Sequence, residues 1–156
     1  VSNASREQCE LMVKAFGRRV GFPAFLIDHA REFEPDARTF KGRRMRPGYC
    51  FENATKMAMR RPELTYVEGY VNVLIPTHHA WLMRPDGSII DPTLNPVGLY
   101  LERPIDGYFG VPFSTEYLIA SVIRNTVYGL LDGMGKASLD LVTGKTPVEE
   151  FLWRAP

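Results

Sequence analysis

Three side chains suited to acyl chemistry stand far apart in the sequence: Cys50, His79 and Asp91. A thiolate attacks carbonyl carbon where the neutral thiol does so poorly, so a nucleophilic cysteine needs surroundings that favour its anion. Residues 50–60 contain no proline or glycine and Pro62 supplies a stop, which predicts a helix over Cys50–Arg60 with the cysteine at its N-terminus. That end of a helix carries positive partial charge and free N–H groups, which favour thiolate and can hold an oxyanion. Lys41, Arg43, Arg44 and Arg46 add positive charge upstream. A histidine to exchange the proton and a carboxylate to fix its tautomer complete the requirement.

The choice between His78 and His79 depends on strand register. Arg84-Pro85-Asp86-Gly87 suits a type I turn with Gly87 left-handed, a three-residue loop with a glycine bulge. Arg84 then faces Ser88, and counting back sets Trp81 opposite Asp91. Side chains alternate along a strand, so His79 shares the Asp91 face and His78 projects from the other. A two-residue loop would instead bring Asp91 to the His78 face. The turn chemistry therefore selects Cys50, His79 and Asp91 as the candidate catalytic set.

Apolar spacing from Ser5 to Arg31 fits two helices broken at Gly21-Phe22-Pro23, the second starting near Pro23. Glu34–Gly48 is polar, basic and turn-rich, as an exposed loop would be. Thr65–Ile75 reads as a strand with Val67, Val71, Val73 and Ile75 on one face, followed by short strands at His78–Met83 and Ser88–Asp91. Asn95-Pro96, Arg103-Pro104 and Asp106-Gly107 punctuate a loop-rich stretch before a further short strand at Tyr108–Val111. Ser114 is placed to cap a helix running to Asn125, and Thr146 to cap a last short helix with Pro147 at its first position. Helices ahead of an antiparallel sheet predict an α+β domain. Trp81 is expected in the core or as a cleft wall. Asn53, one turn after Cys50, is read equally as support for the site or as an ordinary helix polar residue, and Glu52 is read as pointing away.

The order Cys50 at a helix start, Tyr66-Val67-Glu68-Gly69, His79-Ala80-Trp81-Leu82 and Asp91-Pro92-Thr93 resembles the core of the transglutaminase-like branch of the papain-like superfamily, over residues 48–94. The resemblance implies a central Cys-bearing helix packed with N-terminal helices on an antiparallel sheet. It also implies Cys50 as nucleophile, His79 as general base and acid, Asp91 as the orienting residue, and a protein or peptide substrate. Arg46–Asn53 is similar to the cysteine motif of arylamine N-acetyltransferases, although Pro47 stands where that family usually carries a glycine. A binding module that keeps the fold without catalysis is the expectation of a different class.

The bulk properties agree with a compact enzyme and exclude several alternatives. The 156 residues suit one domain over 1–156, with 45% hydrophobic and 24% charged residues. A net charge of +1 directs the chain to neither nucleic acid nor anionic membrane, and no apolar run approaches the roughly 20 residues of a membrane helix. Cys9 and Cys50 are too few for a disulfide framework, so free thiols and a cytoplasmic, reducing setting are expected. Neither paired cysteines nor a His-Glu-x-x-His helix supports zinc at Cys50, His79 and Asp91, and no cofactor is expected. Ser2-Asn3-Ala4 resembles a cloning remnant and no secretory signal is visible.

Overall fold

The computed structural model describes residues 3–18, 21–34, 45–94, 105–131 and 135–155. Most of the predicted Glu34–Gly48 loop, with Lys41, Arg43 and Arg44, and the Asn95-Pro96 and Arg103-Pro104 turns lie outside those residues. The helices are α1 Ala4–Phe16, α2 Gly21–His29, α3 Cys50–Arg60, α4 Thr115–Asn125, α5 Lys136–Val142 and α6 Val148–Phe151. The strands are β1 Arg31–Phe33, β2 Thr65–Asn72, β3 Pro76–Met83, β4 Ile89–Ile90 and β5 Asp106–Pro112. All strand pairings described are antiparallel, in one sheet ordered β1-β5-β2-β3-β4, which gives the α+β architecture expected.

Strand alternation divides the interior into two clusters. On one face Tyr66, Ala80, Leu82, Ile90, Phe109 and Val111 pack with residues of every helix, among them Cys9, Phe25, Ala54, Leu118, Leu141 and Phe151. On the other face Val67, Val71, Trp81, Met83, Ile89 and Tyr108 pack with Phe33. Among the described residues no helix is long and apolar enough to cross a membrane.

Several boundaries differ from the sequence reading. α2 begins at Gly21, two residues before the expected start, which still leaves Pro23 in the first turn where its missing N–H costs nothing. β2 ends at Asn72, because Val73-Leu74-Ile75 form the turn into β3; Val73 packs on the second cluster while Ile75 is 71% exposed. The cap of α6 is Pro147, one residue beyond Thr146, whereas Ser114 caps α4 as expected by accepting from Tyr117 N–H. β1 and α5 were not predicted. Asn3, set aside as a remnant, caps α1 through Arg6 N–H and donates to the Tyr108 carbonyl at 3.0 Å.

Candidate active site

The hairpin that carries two of the three candidate residues adopts the register read from its turn. Gly87 has φ 82° and donates to the Arg84 carbonyl at 2.9 Å, and Arg84 N–H donates to the Ser88 carbonyl at 2.8 Å. Leu82 pairs with Ile90 and Met83 with Ile89, so the next step sets Asp91 level with Trp81 on the His79 face. His79 Nε2 donates to Asp91 Oδ2 at 2.7 Å, with His79 4% exposed and Asp91 fully buried.

Cys50 comes to this pair from α3. A Pro47-Gly48 turn, with Gly48 at φ 80°, leads the chain into that helix, and Cys50 is its partly exposed first residue. β4 pairs with β3 only at Leu82 and Met83, which leaves β3 at His79 without a second strand neighbour among the described residues. α3 packs on β3, and the Cys50 sulfur comes near enough to the His79 ring to help raise its pKa. Since Nε2 is committed to Asp91, Nδ1 is the ring atom left for sulfur. Cys50, His79 and Asp91 are thus brought together, with the imidazole between sulfur and carboxylate.

The electrostatics follow from burial and charge. Burial disfavours a charged His79 ring, but the charge and hydrogen bond of Asp91, with those of the Cys50 sulfur, outweigh it and push the His79 pKa up to about 10. Burial likewise disfavours the Asp91 carboxylate. The charge and hydrogen bond of His79 and the N–H groups of Leu94 and Thr93 outweigh that term and hold its pKa below the ordinary range. Asp91 accepts four hydrogen bonds: His79 and Tyr108 Oη (2.9 Å) on Oδ2, and the backbone N–H groups of Thr93 (2.9 Å) and Leu94 (2.8 Å) on Oδ1.

Further contacts fix the two segments against each other. Asn53 Nδ2 donates to the Arg46 carbonyl at 2.8 Å and to Thr93 Oγ1 at 3.0 Å, so the first turn of α3 is clamped to the Asp91 turn. Met45 N–H donates to the Pro92 carbonyl at 2.9 Å. Asn53 therefore supports the site. Glu52 pairs with Lys56 along the helix surface, as expected of a side chain turned away. Arg46 lies over the Tyr49 ring, with its guanidinium carbon 4.0 Å from the centroid.

Trp81 is fully buried, and its ring lies 17° from parallel to His79 with centroids 6.3 Å apart. Tyr108 escaped the sequence reading, because β5 enters the sheet between β1 and β2 and no local pattern ties it to Asp91. Thr93 was visible only as part of the Asp-Pro-Thr ending. Among the described residues no group of three or more His, Cys, Asp or Glu side chains is arranged to hold a metal ion. Compared with family models, curated proteins and solved structures, the chain has no match.

Proposed function

We propose that the chain is a cysteine-dependent acyl-transfer enzyme, a peptide or amide hydrolase or acyltransferase with a papain-like, transglutaminase-like core. The observation that carries this reading is the buried His79–Asp91 pair, with Nε2 to Oδ2 at 2.7 Å, beside the Cys50 sulfur at the start of α3.

The chemistry proceeds in two halves. His79 holds the thiol proton while Cys50 sulfur attacks the carbonyl carbon, and the oxyanion forms near the first-turn N–H groups of α3, where Tyr49 offers no side-chain cap. The protonated ring then gives its proton to the departing amine as the C–N bond breaks, leaving a thioester. Acylation removes the sulfur charge that helped raise the His79 pKa, so the ring can take a proton from water or an incoming amine. That nucleophile bonds to the carbonyl carbon, the C–S bond breaks, and sulfur recovers its proton from His79. Asp91 holds the ring in one tautomer throughout.

Labelling with iodoacetamide tests the nucleophile. Cys9 is fully buried and its pKa is pushed up to about 12, by burial first and by Glu10 second, so it makes little thiolate. Cys50→Ala should therefore abolish labelling. Label that persists on Cys9 in this variant would contradict the assignment.

A further inference from the structure

β3 carries two consecutive histidines, His78 opposite Tyr70 and His79 opposite Gly69 of β2, with side chains on opposite faces of the sheet. His78 is held by a carboxylate as His79 is. Glu68, fully buried, accepts from Tyr66 Oη (2.7 Å) and Leu130 N–H (2.7 Å) on Oε2, and from His78 Nε2 (2.8 Å) and Leu131 N–H (2.8 Å) on Oε1. The donors are one imidazole, one phenol and two successive backbone N–H groups, the same set that surrounds Asp91. Burying a carboxylate is a poor route to stability compared with a well-packed apolar side chain. At Asp91 the arrangement commits Nε2 and presents Nδ1 for use.

At Glu68 the result is a second imidazole with its Nε2 committed. In the neutral ring Nε2 carries the proton, since an ionised Glu68 can only accept, and Nδ1 is left as an acceptor. The His78 side chain is 25% exposed, and no described residue occupies Nδ1. Aromatic rings wall it: Phe22 at 4.7 Å, Phe51 at 4.8 Å and Tyr70 at 6.4 Å between centroids, each partly exposed. Phe51 adjoins Cys50 in the chain. Tyr66, whose pKa is raised by burial and then by the charges of Glu68 and Cys50, sets the cluster within electrostatic reach of the sulfur.

We infer that His78, oriented by Glu68, is the acceptor of a substrate subsite beside Cys50, which takes the N–H of a substrate amide whose flanking apolar group packs on Phe22, Phe51 and Tyr70. The inference rests on the acyl-transfer reading and names the part of a peptide-like substrate that is recognised. Glu68 is a positioning residue here, and His78 touches substrate.

Alkylation kinetics of Cys50 test it. The reagents are N-benzyl chloroacetamide, which keeps the N–H, and N-benzyl-N-methyl chloroacetamide, which lacks it; each rate is divided by the same protein's rate with iodoacetamide. Sulfur displaces chloride from both, so they differ at the amide nitrogen. The secondary amide should react up to about tenfold faster with the parent protein, the effect of one hydrogen bond. His78→Lys keeps a donor for Glu68 and carries no acceptor, so the preference should fall to about one. Phe22→Leu, which leaves the Glu68 network intact, should slow both benzyl reagents about threefold. Equal rates in the parent, an undiminished preference in His78→Lys, or benzyl reagents unaffected by Phe22→Leu would each overturn the inference while leaving a reactive Cys50 in place. Iodoacetamide that spares Cys50 would overturn the acyl-transfer reading and the subsite together.

Discussion

Tyr108 shows how a side chain distant in sequence from Cys50 bears on the candidate site. Its hydroxyl is fully buried and shares Asp91 Oδ2 with His79, so the carboxylate that orients the imidazole is itself oriented from β5. Burial first, and then the charge of Asp91 with its hydrogen bond, raise the Tyr108 pKa well above the ordinary phenol, which keeps the group a donor. Tyr108→Phe preserves the ring packed edge-on against Trp81, with centroids 5.0 Å apart, and deletes only the donor. A hydrogen bond to a charged acceptor contributes about 1.5–3 kcal/mol, so the urea midpoint should fall by that equivalent. An unchanged midpoint would mean that the three remaining donors suffice.

At the scale of elements, two glycines let β2 and β5 carry the site. Gly69 pairs with His79 on one side and with Gly110 on the other. A Cβ at Gly110 would stand 2.6 Å from Trp81 Cη2, so the indole beside His79 extends across the space this glycine leaves. A Cβ at Gly69 would stand 2.2 Å from the Phe109 carbonyl oxygen and 2.4 Å from Gly110 Cα, main-chain atoms that cannot rotate aside. Gly69→Ala should therefore force β5 outward and cost about 3 kcal/mol in urea denaturation, at the upper end of overpacking effects. A stable variant would show that the strand gives way cheaply. The hairpin was legible for a related reason: Pro85 and Gly87 admit few turn geometries, and the turn fixes which histidine meets Asp91. The Cys50 helix was legible through its uninterrupted run and the Pro62 stop. Tyr108 and Glu68 were not, since the placement of β5 beside β2 and the reach of Leu130 and Leu131 to β2 are long-range facts that local patterns do not record. β1 and α5 are three and seven residues long, too short for periodicity to declare them.

For the molecule as a whole, the charged site should appear in the pH dependence of folding. Stability rises with pH where the unfolded chain binds more protons and falls where the folded chain does. The His79 pKa is raised from 6.5 to about 10, so its contribution is complete below 6.5 and is lost as pH climbs through the folded value. Asp91 has the opposite sense: its pKa is lowered from 3.8, so its contribution is present above 3.8 and is lost in acid as pH drops through the lowered value. His29 is depressed, by burial first, and works against stability only below about 6.5, while Cys9 begins to weaken the fold only above its ordinary 9.0. Between 6.5 and 9.0 the slope from these four groups therefore belongs to His79. Thermal denaturation across that window should give a Tm that falls steadily in the parent protein. His79→Gln, which removes the titrating ring, should flatten the profile while lowering it overall. A parent profile already flat there would mean that the imidazole, in the folded chain, does not hold its proton beyond the unfolded value, and the charge arrangement drawn from its contacts with Asp91 and Cys50 would have to be abandoned.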